Sequence, residues 1–154
     1  MIPTPVLDRA VLILMALLYT KSPTVERLIR MGAHGEREPQ AAARRLGYGS
    51  VNTLNGALRR LEVPPAGCLL MWGRLLLVLY LWEPSPKASK GAVLSLDELA
   101  LRDGWSNSSV ISNSLRHHAG IYPRAWHLSG ESFDHLCHRF VRTWRARAGT
   151  KVAA

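Results

Sequence analysis

The sequence predicts an all-α protein with two helix-turn-helix subdomains, a long apolar connecting helix between them, and extra N- and C-terminal helices. Apolar residues recur at helical spacing, caps and glycines mark helix ends, and one two-helix pattern occurs twice. At 154 residues, the chain is one domain or a small pair. The predicted regions are N-terminal helices (1–37), a first unit (38–65), a connecting helix (66–83), a flexible linker (84–94), a second unit (95–128), and a basic C-terminal helix and tail (129–154).

The N-terminal region is expected to form two helices, Pro5 to Tyr19 and Thr24 to Met31, with proline at the start of the first. Packing of the first helix on the following unit is favoured over a dimer interface. The side chains expected to pack are Val11, Leu14, Met15 and Leu18.

Two apolar stretches, residues 10–19 and 68–82, are candidates for membrane segments. The first is much shorter than the roughly 20 apolar residues that a spanning helix needs, and the second contains Arg74. The start of the chain also lacks a secretory signal, because Asp8 and Arg9 precede the apolar run and no small-residue cleavage site follows it. We therefore expect no membrane association and a cytoplasmic location.

The second unit carries the clearest pattern. Ser95 and Glu98 form a capping box, so a helix should begin at Leu96. Gly104 can adopt the left-handed conformation that ends this helix, and Trp105 should fill the turn. Asn107 or Ser106 is then expected to cap a second helix that runs to about His118, with an inward face of Val110, Ile111, Leu115 and His118.

The outer face of this second helix has no hydrophobic side chain and consists mostly of Ser and Asn, which are weak helix formers. Short hydrogen-bonding side chains beside one arginine suit close approach to base edges and phosphates. The alternative is a poor surface helix without a partner. The outer face comprises Ser108, Ser109, Ser112, Asn113, Arg116 and His117.

The first unit repeats this pattern. When Gly47 is set against Gly104, small, aromatic and apolar positions align, and one inserted residue brings Pro65 opposite Pro123. A repeated scaffold with different outer faces fits two half-sites of unlike sequence. The outer face of the first copy would be Asn52, Thr53, Asn55, Gly56, Arg59 and Arg60, with Ser50 as its cap.

The second unit resembles the second helix-turn-helix of AraC/XylS-type transcription regulators. The resemblance covers roughly residues 38–128 and implies an all-helical domain that reads two adjacent major-groove segments. The chain departs from the family in lacking a bulky aromatic at Ile111 and Leu115, in its longer linker, and in lacking a sensing domain. The matching residues are Leu96, Glu98, Leu99, Ala100, Gly104, Trp105, Ser106, Ser109, Gly120 and Pro123.

The connecting helix, about Ala66 to Trp82, is apolar almost all round and should be buried. It would span about 26 Å at about 1.5 Å per residue, and successive major grooves lie about 34 Å apart. With side chains added, one such helix can hold two recognition helices at groove spacing.

The C-terminal helix, residues 131–147, is predicted to pack Phe133, Leu136, Phe140 and Trp144 on the second unit. Its opposite face would lie along the DNA backbone, and cutting the chain after Leu128 should then reduce the salt dependence of binding. The basic residues of the helix and tail are Arg139, Arg142, Arg145, Arg147 and Lys151.

Composition agrees with a polyanionic partner, since 20 Lys and Arg against 11 Asp and Glu give a formal net charge of +9. Cys68 and Cys137 are expected to be reduced thiols, and the His and Cys spacing near His135 does not fit a structural zinc site. No nucleophile elbow, phosphate-binding glycine loop or catalytic carboxylate pair is present. We therefore expect no cofactor, no metal and no enzymatic activity.

The leading hypothesis is sequence-specific binding of double-stranded DNA by a regulator without its own sensing domain, as a monomer or weak dimer. Candidate further partners are a separate sensor protein and RNA polymerase. The alternative is a helical adaptor or inhibitor that binds protein or RNA. The DNA-binding residues would be Ser50, Asn52, Thr53, Asn55, Gly56, Arg59, Arg60, Asn107, Ser108, Ser109, Ser112, Asn113, Arg116 and His117.

Overall fold

The structure is a computed structural model that describes residues 2–82, 96–122 and 133–153, with side chains as far as residue 149. Within these ranges the regular structure is entirely helical, which confirms the predicted all-α class. None of the described helices is long and apolar enough to cross a membrane. The helices are α1 (Thr4–Leu17), α2 (Pro23–Ala33), α3 (Pro39–Arg45), α4 (Val51–Arg60), α5 (Ala66–Trp82), α6 (Leu96–Arg102), α7 (Ser108–Ala119) and α8 (Phe133–Ala153).

The chain divides into two compact units that are larger than the two predicted helix-turn-helix units. The first compact unit is Pro3–Leu76, and the second is Leu77–Ala154 with Met1–Ile2. In the first unit, α1 and α2 pack against each other. Val11, Leu14 and Leu18 are buried and Met15 is half-buried; their packing on α3–α4 stays a prediction.

Polar contacts fix the ends and the packing of α2. The Ser22 hydroxyl caps its N-terminus by accepting a hydrogen bond from the backbone N–H of Val25. The Arg30 guanidinium reaches back to the Asp8 carboxylate of α1, with 2.7 Å between nitrogen and oxygen. Arg30 also pairs with Glu26 within α2, so one guanidinium joins two helices.

Two glycines let α2 and α5 cross at very short range. A methyl group on Gly32 would overlap the backbone carbonyl of Leu70, and one on Gly73 would overlap the carbonyl oxygen of Ile29. The missing side chains therefore allow direct backbone contact between the helices. Beside this crossing, α5 buries Trp72 and Leu75 completely, as its nearly continuous apolar sequence predicts.

The core of the second unit is formed by α6, α7 and α8. Leu99 of α6 and Ile111 and Leu115 of α7 are fully buried, and α8 packs on α7 through Leu136 and Phe140. The other two predicted core residues of α8, Phe133 and Trp144, are half-buried.

Several predicted features lie outside the described residues. These are the Ser95 half of the capping box, the linker 84–94 and Pro123 with the residues that follow it. A helix is present from Leu96, the first residue described after that gap.

Candidate nucleic-acid interface

The helix pairs α3–α4 and α6–α7 have the same turn. In each pair the first helix is followed by a glycine in the left-handed region, Gly47 with φ 85° and Gly104 with φ 72°. Residues other than glycine rarely adopt this conformation. The turn then closes with equivalent backbone hydrogen bonds of 2.9 Å, from Tyr48 N–H to Ala43 O and from Trp105 N–H to Ala100 O.

The second helix of each pair is capped in the same way. The Ser50 hydroxyl accepts a hydrogen bond of 3.2 Å from the Thr53 N–H, and the Asn107 side-chain oxygen accepts one of 3.1 Å from the Val110 N–H. Asn107, rather than Ser106, is therefore the cap of α7.

Equivalent apolar residues anchor both second helices. Leu54 and Leu58 in α4 correspond to Ile111 and Leu115 in α7, and all four are buried. After each helix a backbone hydrogen bond of 3.3 Å returns to the second buried anchor, over five residues in the first pair and over six in the second. It joins Val63 N–H to Leu58 O in the first pair and Ile121 N–H to Leu115 O in the second.

On α7, the predicted outer face is at the surface of its unit. Ser109, Asn113, Arg116 and His117 are exposed, while Ser108 and Ser112 are half-buried. The expectation for Val110 was wrong, because its side chain is 37% exposed. The buried stripe of α7 follows residues 111, 115 and 119, and this helical phase leaves Val110 at its edge.

Arg116 is the most constrained cation on this face. Its Nη2 donates a hydrogen bond of 2.7 Å to the Asn113 side-chain oxygen, and its guanidinium carbon lies 5.9 Å from the centre of the Tyr122 ring. Tyr122 was missed by the sequence analysis, because it lies beyond the end of α7 and outside any helical period. These two contacts hold the planar fork in one orientation.

The C-terminal helix adds charge beside the same face. The Arg147 guanidinium contacts the His117 ring, and Arg139 donates a 3.4 Å hydrogen bond to the carbonyl oxygen of Gly120 at the end of α7. Partial burial, with Arg147 as a second cause, lowers the pKa of His117 below its usual range. His117 is therefore neutral at pH 7.

His118 is half-buried, which agrees with its predicted inward position. Burial, with the neighbouring His117 and Arg147 as smaller causes, lowers the pKa of His118 to about 4. Its imidazole is therefore neutral at pH 7.

The predicted face of α4 is only partly available to a ligand. Asn52, Thr53, Arg59 and Arg60 are exposed, and Gly56 is half-buried. The side-chain oxygen of Asn55 accepts a 2.9 Å hydrogen bond from the Ala66 N–H at the start of α5. Asn55 thus stabilises the start of α5 through this hydrogen bond, a role that the sequence spacing did not indicate.

The described residues contain no group of three or more His, Cys, Asp or Glu side chains that could hold a metal ion. Burial, with Asp134 as a smaller cause, raises the pKa of the Cys137 thiol to about 12. The protonated thiol is a poor nucleophile at neutral pH. The exposed side chains of the α7 face offer hydrogen bonding through Ser109 and Asn113 and positive charge through Arg116.

Comparison of the chain with protein-family models, with curated proteins and with solved structures finds no match. The resemblance to AraC/XylS-type regulators therefore stays a prediction from the sequence.

Proposed function

We propose that this protein binds double-stranded DNA at specific sequences, with α3–α4 and α6–α7 acting as two helix-turn-helix units. The observation that carries the proposal is the repeated scaffold. Both pairs have the same glycine turn, cap position and buried anchors, yet their outer faces differ in sequence. Such a repeat suits a protein that reads two unlike half-sites.

The chemistry of the α7 face supports base recognition. Ser109 and Asn113 are short, exposed and able to hydrogen-bond to base edges. The oriented fork of Arg116 matches the two acceptors that guanine presents in the major groove, which is the commonest specific contact between an arginine and DNA.

On α4, Arg59 and Arg60 lie together in the last turn and are exposed. We assign these side chains to phosphate contacts, while Asn52 and Thr53 approach base edges. The net charge of +9 favours the approach to a polyanion. In this proposal the protein is a cytoplasmic transcription regulator of the AraC type, whose effector binds to a separate sensor protein or whose output passes through RNA polymerase.

Selection of binding sites from random duplexes, at a stated salt concentration, tests the proposal directly. A DNA reader should return a motif with two parts, one for each helix pair. A protein- or RNA-binding adaptor would return no motif, and that result would refute the proposal.

Two variants then test the residue assignments on the selected duplex. Asn113→Ala should change the preferred bases within the α7 half of the motif, because it removes a base-edge group and releases Arg116. Arg116→Ala should weaken binding by about 1–3 kcal/mol, the usual worth of a bidentate arginine–guanine contact. Arg27→Ala is the matched control, since it removes an exposed arginine from α2. Unchanged binding by both α7 variants would overturn the assignment.

A further inference from the structure

We propose that α8 is a second, sequence-independent part of the DNA-binding surface, which contacts backbone phosphates beside the groove that α7 enters. This inference rests on the proposed function and extends it to a helix outside both helix-turn-helix units.

The helix α8 lies along α7. Arg139 bonds to the Gly120 carbonyl, and Thr143 lies next to the same glycine, its hydroxyl 3.9 Å from where a Cβ on Gly120 would be. One turn further on, Arg147 contacts His117. Residues 139, 143 and 147 share one side of a helix, so α8 passes from the C-terminal end of α7 back to its polar face.

The helix α8 is strongly basic. Residues 135–153 contain four arginines and one lysine but no acidic residue. Desolvation and Arg147 lower the pKa of His117, so Arg147 supplies the positive charge where α7 and α8 meet. Arg142 and Arg145 are exposed on another side of α8 and extend its positive charge towards solvent.

The burial of α8 favours DNA over a membrane surface as its partner. An amphipathic helix that binds a membrane surface must insert its own apolar side into the lipid. The apolar side of α8 is not available, because Leu136, Phe140 and Val141 are buried. Exposed arginines on a helix that packs against a base-reading helix fit the phosphates of the same duplex.

Because α8 contributes buried residues to the core, truncation of the chain cannot separate a loss of DNA contacts from a loss of folding. Cutting the chain after Leu128 removes Leu136 and Phe140 from the core, so any loss of binding would follow from unfolding. Substitution of exposed arginines leaves the core intact.

The experiment compares a double variant, Arg142→Gln with Arg145→Gln, with the control Lys21→Gln with Arg27→Gln. Both remove two exposed positive charges, the first pair from α8 and the second from the N-terminal unit. Dissociation constants are measured from low to high salt on the selected duplex and on a scrambled duplex of equal length. Circular dichroism confirms that each variant keeps its helical content.

Each phosphate contact contributes about 0.9 to the slope of log affinity against log salt. The α8 variant should therefore lose about 2 from this slope, bind both duplexes less tightly by about tenfold or more at low salt, and keep the selected motif. The control pair should retain the wild-type slope.

Three results would overturn the inference. If the α8 variant keeps the wild-type slope of log affinity against log salt, α8 does not contact the DNA. If the control loses as much of this slope as the α8 variant, the effect is due to net charge alone. If the wild-type protein selects no duplex motif, the inference fails together with the proposed function. A normal motif with an unchanged slope refutes the role of α8 alone.

Discussion

The helix pairs α3–α4 and α6–α7 share one scaffold but use the outer face of the second helix differently. On α4, Asn55 is bonded to the first residue of α5, so part of the face serves to attach the next helix. On α7, Asn113 is bonded to Arg116 within the face itself, and α8 brings Arg147 to its edge. The same turn, cap and anchors therefore support one face that is partly structural and one that is available to a ligand.

In this fold, the residues that pack the second helix are therefore separate from those that can recognise a ligand. The buried positions fix how the second helix sits, and they are equivalent in the two pairs. The outer positions do not contribute to that packing and can diverge.

Removal of an equivalent anchor from each pair gives the largest expected effect. Leu58→Ala and Leu115→Ala each leave a cavity in a closed core, because both side chains are almost completely buried. We expect each change to lower the free energy of unfolding by about 2–5 kcal/mol, as measured by urea denaturation. Leu101→Ala is the control, since Leu101 is 86% exposed. If the two variants lost different amounts of unfolding free energy, the two anchors would not be equivalent.

The close packing of α5 on α2 can be tested at the glycine crossing. Gly73→Ala forces a methyl group against the backbone of α2, and such overpacking usually costs about 1–3 kcal/mol. Gly67→Ala, at the start of the same helix, meets only the side chain of Pro39 at 3.7 Å. Equal urea midpoints for these two variants would contradict the close crossing of α2 and α5.

A pH dependence is expected from the second pair, because His118 is partly buried and the first pair contains no histidine. The pKa of His118 is about 4 in the folded protein and about 6.5 when exposed, so folding favours the neutral ring. This contribution to stability is complete above pH 6.5 and is lost as the pH falls towards 4. The urea midpoint of the wild type should drop more between pH 7.5 and 4.5 than that of His118→Gln.

Parallel pH profiles for the wild type and His118→Gln would show that the ring is solvated in the folded state. His117→Gln should change the profile less, because His117 is exposed.

The contrast between Asn55 and Asn113 predicts a smaller effect on stability. Asn55→Ala leaves the Ala66 N–H without its side-chain partner and should cost about 1 kcal/mol, as the loss of a helix cap does. Asn113→Ala should be nearly neutral in urea denaturation, because Asn113 bonds only on the exposed face. If Asn113→Ala destabilised the protein as much as Asn55→Ala, the two faces would not differ in the way described.

Local chemistry explains what could be predicted from the sequence. The caps Ser50 and Asn107 and the glycines at the turns act on neighbouring residues, so their spacing reveals them. Contacts between distant residues leave no such pattern. The bond from Ala66 to Asn55, the contact of Arg147 with His117 and the crossing at Gly73 all depend on how helices pack.

The predicted face of α7 also shows where periodicity becomes inaccurate. Residues at the middle of the buried stripe are identified reliably, since each is one turn from the next. Val110 lies at the edge of that stripe, where a small rotation of the helix is enough to expose a side chain that the period places inside.

The ends of α4 and α7 supply the smallest and most direct test of the comparison. The chain leaves α7 through Gly120 at φ 62°, five residues after the anchor Leu115, and leaves α4 through Glu62 at φ 57°, four residues after the anchor Leu58. A side chain costs about 1 kcal/mol in this conformation, whereas glycine adopts it freely.

A glycine in place of Glu62 and a side chain in place of Gly120 should therefore change the free energy of unfolding in opposite directions. Glu62→Gly should raise the free energy of unfolding by up to about 1 kcal/mol, and Gly120→Ala should lower it by about the same amount. Glu62 is exposed, and a Cβ on Gly120 would meet only Thr143 at ordinary contact distance, so backbone conformation dominates both changes. A loss of stability in Glu62→Gly would mean that the α4 end does not adopt the left-handed turn, and the two scaffolds would then differ at their exits.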